Sequence, residues 1–405
     1  MRRTPWRLAV RHLRRHWVRS GLTIGAMMVA LFLLCCLVSI VTTLNAAVKQ
    51  AASNRLVVQS AVSLFVDLPR DYQPKIAQIP GVGLVTKFQW FGGYYREQSN
   101  FFAQFGVDHD VFFDAYARDL EIVQGPGGET GPAARPAALQ AMAADRRACV
   151  VGEQLLKDFD WKVGQTVPLT GTIFQKADSS EPWEFTIVGV YRPLKSNVDA
   201  RTLWYRYDYL QEFLDSGRAT GPTGVGVFAI NVAPGYDPSA VISGIDGLFA
   251  NGPQRTMTTT EAAFQAGFIS MLGGLPTFIG VIGGAVVFAV LFSVANTMLM
   301  AARQRTQEGG ILKALGFRNA ALARLMVAEA LFMSLIGGAL GVALAFAFAP
   351  ALRAMMGTMF PNYGIAPATA ALGMAAAVGI GVVAGLAPAW RMARLHPASA
   401  LRSEG

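Results

Sequence analysis

The side chains that most often carry out chemistry are sparse in this chain, and their spacing excludes most reactions. The 405 residues include four histidines and three cysteines. His12, His16 and His396 flank apolar runs and His109 stands alone; no HExxH and no Cys cluster occurs, so a zinc site is not expected. No GxSxG nucleophile turn is present. The densest carboxylate group is "DHDVFFD" (108–114), with Asp108, Asp110 and Asp114. It offers oxygen ligands for calcium, but the glycine and distal glutamate of an EF-hand loop are missing, and a solvated loop is the plainer reading. No GxxxxGK followed by Ser or Thr occurs, so the sequence holds no P-loop, and any ATP used is expected on another chain. The expectation is a protein that is not an enzyme, with no catalytic residue, metal or cofactor of its own.

A different chemistry stands out in "RQRTQEGGILKALGF" (303–317). Arg303, Arg305, Glu308 and Lys313 carry charge. Ile311, Leu312 and Leu315 form a compact apolar set, with Gly310 and Gly316 beside it. A short helix here can seat its apolar side in a groove of another protein while its cations meet acidic groups or lipid phosphate. Glu308 would sit at the helix start, where a carboxylate favours the positive end of the dipole. A plain interfacial loop helix is the alternative.

The segment lies between two long apolar runs, and these must position it. The chain is 53% hydrophobic and 15% charged, against about 25% charged in an ordinary soluble chain. Four runs, 21–44, 275–302, 325–349 and 368–390, are almost free of charge. Each approaches or exceeds the ~20 residues that cross a bilayer as a helix. The first run also resembles a signal peptide, but its apolar core exceeds the usual ~7–15 residues, which favours an uncleaved anchor. Arginines crowd 1–20, 303–324 and the tail 391–405, whereas 350–367 has only Arg353. The basic flanks predict cytoplasmic termini and an outside location for 45–273. That outer region holds 23 of the 26 acids and 19 of the 35 bases, so the net charge of +9 gathers on the inner membrane face and does not indicate nucleic-acid binding. Residues 1–20 read as an amphipathic helix, with Trp6, Val10, Leu13 and Trp17 on one face and arginines elsewhere, suited to anionic lipid. Cys35 and Cys36 lie within the first run as small packing residues, and Cys149 is alone in 45–273, so no internal disulfide is expected there.

Within 45–273, "RACVVG" (147–152), "WEFTIVGVY" (183–191) and "VGVFAINVA" (225–233) read as strands. "DPSAVISGIDGLFA" (237–250) reads as a helix with an Asp start, and "GPGGETGPAARPAA" (125–138) as a surface loop. A β–α–β arrangement with an inserted second lobe is predicted. The aromatic "FQWFGGYYREQSNFFAQF" (88–105) reads as strand core, or as the lining of an apolar groove. Each apolar run carries a small-xxx-small pair: Gly21/Gly25, Gly280/Gly284, Gly337/Gly341 and Gly381/Gly385. Such pairs let helices approach closely, within one chain or across a dimer. Glu329 lies near the inner end of the third run, where a structural ion pair with Arg303, Arg305 or Arg324 or a functional role would account for it. Asn296 in the second run is a candidate for a hydrogen bond across helices.

The stretch "ARQRTQEGGILKALGFRNAALARLMVAEALFMSLIGGALG" (302–341) closely resembles the signature of the FtsX/MacB-type ABC permease superfamily. The matching positions are Arg303, Arg305, Glu308, Gly310, Ile311, Lys313, Ala314, Leu315, Gly316, Glu329, Gly337, Gly338 and Gly341. "PAWRMARLHPASALR" (388–402) is similar to the family's closing motif, and "FGVDHDVF", "ACVVGEQLLKDF", "WKVGQTVPL" and "FTIVGVY" to its outer module. Gly309 stands where the family often has Ile. The resemblance implies an α-helical membrane protein with four transmembrane helices and a large α+β extracytoplasmic domain, a porter-like lobe with an inserted second lobe, between spans one and two. It implies a permease subunit without a fused ATPase domain, in a bacterial inner membrane. Its partners would be a cytoplasmic ABC ATPase binding ATP and Mg, a second copy or a related permease as dimer, membrane lipids, and a periplasmic adaptor, lipoprotein or outer-membrane component. The 303–317 segment would be the ATPase-coupling helix. Two functions then remain open: mechanotransmission acting on a lipid, lipoprotein, peptide or other amphiphile, or FtsX-like signalling to a partner such as a cell-wall hydrolase.

Overall fold

Charge-free runs of this length fold as helices because only a helix pairs all its own backbone groups away from water. A computed structural model describes residues 17–50, 54–178, 181–195, 198–271, 274–304, 310, 311, 313, 318–356 and 363–394. The predicted amphipathic helix 1–20 falls outside these up to residue 16. Four helices are long and apolar enough to cross a membrane: span 1 (Trp17–Gln50), span 2 (Leu275–Gln304), span 3 (Asn319–Met356) and span 4 (Pro367–Arg394). The shortest has 28 residues, about 42 Å at ~1.5 Å per residue. The chain divides into two units, 1–44 with 273–405, and 45–272.

In the span unit, Met27, Leu31 and Leu34 of span 1 pack with Val294 and Met298 of span 2, Ala330 and Met333 of span 3, and Ala377, Ile380 and Ala384 of span 4. Span 3 meets its neighbours almost backbone to backbone. A Cβ on Gly381 would lie 2.8 Å from the Leu331 Cα, and one on Gly385 2.9 Å from the Val327 Cα. A Cβ on Gly337 would lie 2.5 Å from the Met27 Cβ, and one on Gly341 2.6 Å from the Met28 carbonyl. Among the described residues, a Cβ on Gly21, Gly25, Gly280 or Gly284 would meet nothing within 4 Å. Among the described residues, two of the four expected small-residue pairs therefore seat helices against one another, and the other two make no such contact.

The outer unit is built on a split β–α–β lobe. The chain runs through β1 (Arg55–Ser60), helix α1 (Tyr72–Ala77) and β2 (Val82–Trp90), leaves for a second lobe, and returns later. The second lobe contains β3 (Gly93–Tyr94), β4 (Ala103–Val107), α2 (Phe112–Ala115), β5 (Leu120–Gln124), α3 (Ala134–Ala144), β6 (Ala148–Gly152) and α4 (Glu153–Phe159). It continues with β7 (Thr166–Gly171), β8 (Gln175–Lys176), β9 (Trp183–Pro193), β10 (Thr202–Arg206), α5 (Tyr207–Asp215) and β11 (Ala219–Thr220). The return supplies β12 (Val227–Val232), α6 (Pro238–Leu248), β13 (Thr256–Thr260) and α7 (Glu261–Met271). Strand order in the first lobe is β13-β1-β12-β2, and every neighbour is antiparallel. Two β–α–β units thus interleave in a ferredoxin-like manner. The same sheet runs on through β4, β10, β6, β9, β7 and β3, with β5 on β9.

Local sequence accounts for the elements. All five residues of β6 are buried, and β6 pairs with β9 in parallel and β10 in antiparallel, so "ACVVG" reads as a continuous apolar run rather than an alternation. It ends at Gly152, where a Cβ would lie 1.9 Å from the Ala200 carbonyl; only glycine fits there. Helix α6 starts at Asp237, whose carboxylate accepts from the Ser239 N–H at 3.1 Å. Val241 and Ile245, four apart, are its buried side. Phe91 anchors the second lobe with Trp183, Phe185 and Tyr205 edge-on at 5.7 Å. The aromatic-rich 88–105 stretch contributes Phe91, Tyr95 and Phe102 to this core.

Two local expectations are corrected. The 125–138 stretch is a loop only in its first half, because α3 begins at Ala134 and buries Ala134, Ala138 and Met142. The 108–114 stretch is not a solvated loop. Phe112 and Phe113 are buried, Asp108 accepts from the Lys87 Nζ at 2.9 Å and from the Gln73 amide at 2.7 Å, and Asp114 pairs with Arg135. Among the described residues no carboxylate, His or Cys group could hold a metal ion.

Candidate functional site

The candidate docking segment begins where span 2 ends. Arg303 is exposed in the last turn of that helix. Of the residues singled out by sequence, Arg305, Glu308, Leu312, Leu315 and Gly316 lie outside the described residues. Gly310 is buried, and Ile311 beside it is 48% exposed. An isoleucine left half in water on a loop between two spans is free to gain burial from a partner. Lys313, read from the sequence as a cation for an acidic partner, is half-buried and turned onto the bundle. Its Nζ donates to the Ala393 carbonyl at 2.9 Å, in the last turn of span 4. That carbonyl is one of the four at a helix C-terminus without an intrahelical partner, and a cation there also favours the negative end of the dipole. Nearby, the Arg394 guanidinium lies 4.0 Å from the centre of the Trp390 ring. Beneath, Ala302, Leu322, Met326, Ala389 and Met392 form a small apolar core joining the inner ends of spans 2, 3 and 4. The segment is thus bound to two spans through the chain and to a third through Lys313.

Glu329 is 4% exposed, one turn along span 3 from Met326 and Met333 of those cores. Arg303 and Arg324 are exposed. Asn296 is exposed on span 2. Span 2 also leaves Phe278, Val281, Phe288 and Phe292 exposed, as a lipid-facing or partner-facing helix does.

In the outer unit a buried cluster of charge escaped the sequence reading. Arg55 is 5% exposed, and its guanidinium meets Glu261 and Asp119. Burial works against its charge, but Tyr116, Glu261 and Asp119 outweigh that and hold its pKa above the ordinary arginine value. Asp199, half-buried in the segment before β10, accepts from the Arg201 N–H at 2.8 Å. Burial pushes its carboxyl up to about 6 against the opposing pull of Arg201.

Four apolar helices with a large α+β domain between the first and second define the class, a polytopic membrane protein with a large α+β outer module. The family profile for the MacB-like periplasmic core domain matches residues 20–248, more than half the chain, and that for the FtsX-like permease C-terminal matches 280–397. The chain belongs to the FtsX/MacB permease family. It is 30% identical over 225 residues to the macrolide export ATP-binding/permease protein MacB of Shewanella sp. (strain ANA-3), covering 54% of this chain and 33% of that protein. It is 36% identical over 146 residues to the pyoverdine export ATP-binding/permease protein PvdT of Pseudomonas putida, covering 36% and 20%. The match therefore spans a third or less of these curated relatives. The crystal structure of the periplasmic region of MacB from Actinobacillus actinomycetemcomitans aligns at a TM-score of 0.38 and 10% identity, over 55% of this chain and 95% of that one.

Proposed function

We propose that this protein is a permease subunit that converts ATP hydrolysis by a separate cytoplasmic ATPase into motion of its outer domain. The observation that carries the reading is the inner-face segment, where a half-exposed Ile311 stands beside a lysine fixed to the end of span 4. A docking element so tied moves spans 2, 3 and 4 together when the ATPase closes. The ATPase would bind ATP and Mg, and the docking groove would receive Ile311, Leu312 and Leu315, with Arg303, Arg305 and Glu308 at its rim. In this reading the termini are cytoplasmic, the 45–273 region is outside, and two permease chains pair. The substrate class is an amphiphile handled at the outer face, a reading supported by two relatives named as exporters, of macrolide and of pyoverdine.

Purification of the full chain from native membranes in mild detergent, followed by mass spectrometry of co-purifying chains, tests this. A stoichiometric P-loop ATPase is expected, and Leu315→Asp should abolish its recovery while leaving the permease folded in the membrane. Unchanged recovery with Leu315→Asp would refute docking through this segment. A co-purifying adaptor or lipoprotein fits export, whereas a cell-wall hydrolase would replace it with the signalling role.

A further inference from the structure

Arg55 is the first residue of β1 and makes an unusually complete set of contacts. Its Nη1 donates to both oxygens of Glu261 at 3.3 and 3.2 Å. Its Nη2 donates to the Asp119 carboxylate and to the Ala115 carbonyl, the latter at 3.3 Å. Its Nε donates to the Asn231 Oδ1 at 3.3 Å, and its guanidinium lies 3.7 Å from the centre of the Tyr116 ring. The second Asp119 oxygen faces the Lys195 ammonium. Two cations and two carboxylates therefore balance in a site where Arg55, Asp119 and Glu261 are all buried.

Such a cluster is a poor way to gain stability. Desolvating the ions offsets most of their attraction, and apolar groups of similar volume often serve as well. Its value lies in what it joins. Arg55 is where the chain arrives from span 1. Glu261 is where it departs, directly after β13, towards span 2. Asp119, Ala115 and Tyr116 belong to the second lobe, just before β5. One guanidinium thus holds the incoming connection, the outgoing connection and the inserted lobe.

The register of β1 and β13 gives this position a mechanical meaning. Leu56 pairs with Thr260, so both connections leave the same end of one antiparallel ladder. A force that separates them opens such a ladder one pair at a time from that end. Arg55 and Glu261 stand immediately beyond the Leu56–Thr260 pair and close its mouth. The geometry points to Arg55 as a linchpin that keeps the two connections together and delivers their displacement to the inserted lobe instead of letting the β1–β13 ladder open. This rests on the reading that ATP-driven motion of the spans moves the outer domain.

The test uses the full-length permease with its co-purified ATPase in lipid nanodiscs. Spin labels are placed on exposed Gln140 of α3 and Ala240 of α6, one in each lobe. The distance between them is measured by pulsed electron resonance without nucleotide and with a non-hydrolysed ATP analogue. Wild type is expected to change distance on nucleotide binding. Glu261→Gln and Arg55→Lys are expected to keep the resting distance and the ATPase turnover but lose the nucleotide-driven change. Should either variant fail to be recovered, the charge-balanced quadruple variant Arg55→Met, Asp119→Asn, Lys195→Gln, Glu261→Gln, which removes both cations and both carboxylates, carries the same comparison. A nucleotide-driven change equal to wild type in the recovered variants overturns the linchpin alone. No change in wild type overturns both the linchpin and the reading beneath it.

Discussion

If the segment between spans 2 and 3 docks an ATPase as proposed, replacing Ile311 measures how much it contributes to that binding. Full burial of an isoleucine side chain is worth about 1.5–3 kcal/mol. Ile311 is already about half buried in the free chain, at 48% exposed, so docking gains at most about 0.7–1.5 kcal/mol from it. Ile311→Ala gives up most of that, a weakening of about 3- to 10-fold in Kd per docking segment. Ile311→Asp gives it up as well and adds the cost of desolvating a carboxylate, several kcal/mol if it is unpaired, so a loss of about 100-fold or more is expected. Because the side chain is half exposed, neither change should leave a cavity in the bundle, and thermal unfolding should stay near wild type. The assay is titration of the purified ATPase onto nanodisc-held permease, with Phe288→Ala on exposed span 2 as a control expected to leave Kd unchanged. An Ile311→Asp affinity within experimental error of wild type would refute the assignment of this side chain to the interface, whatever happens to transport.

Two further outcomes follow from the geometry. Gly385→Leu should destabilise the bundle by at least about 1–3 kcal/mol, because its Cβ would meet the Val327 backbone at 2.9 Å; Gly284→Leu, with nothing within 4 Å, should not. Thermal unfolding of both in mild detergent distinguishes them, and equal losses would contradict the packing described. Asp199, with a folded pKa of about 6 against about 3.9 when unfolded, binds more protons in the native state between these values. Its contribution to stability therefore falls as pH rises from about 4 to about 6 and stays lost above, by at most about 3 kcal/mol. Asp199→Asn keeps an acceptor for the Arg201 N–H, and should raise stability at pH 7.5 and flatten the dependence below it. Chemical denaturation at several pH values reads this, and an unchanged slope would count against the burial of that carboxyl.

The long spans were legible because a bilayer imposes a constraint that composition alone reveals, some twenty residues without charge. Strands β6 and β9 were legible from runs of β-branched residues, and α6 from its capping Asp237. The α3 helix was hidden because it follows a Gly-rich loop and its first turns are rich in Ala with Pro136, and only Met142, past the loop-like stretch, completes its buried stripe. In "DHDVFFD" the three aspartates suggested water, while Phe112 and Phe113, buried under Trp204 and Tyr191, decided the outcome. The interleaved strand order depends on β1 pairing with β12, whose partners are far apart in the chain. Arg55 was missed for the same reason. A charged residue opening a strand reads as solvated, and its carboxylate partners lie 64 and 206 residues away. The small-residue pairs show a further limit: Gly280/Gly284 and Gly381/Gly385 look alike as sequence, and among the described residues only the second touches a neighbouring helix of this chain.

The outer domain's first strand, β1, and its last, β13, are adjacent, and their outer ends lie together. A domain with neighbouring ends asks little of the chain that carries it, because its removal leaves a gap that a short linker can bridge. The span bundle and the outer fold are therefore separable as parts. One such bundle can carry outer modules of differing size and surface on the same two connections. Diversification of the outer fold can then proceed by exchanging or enlarging the cassette, above all within the excursion between β2 and β12, while the spans keep their packing.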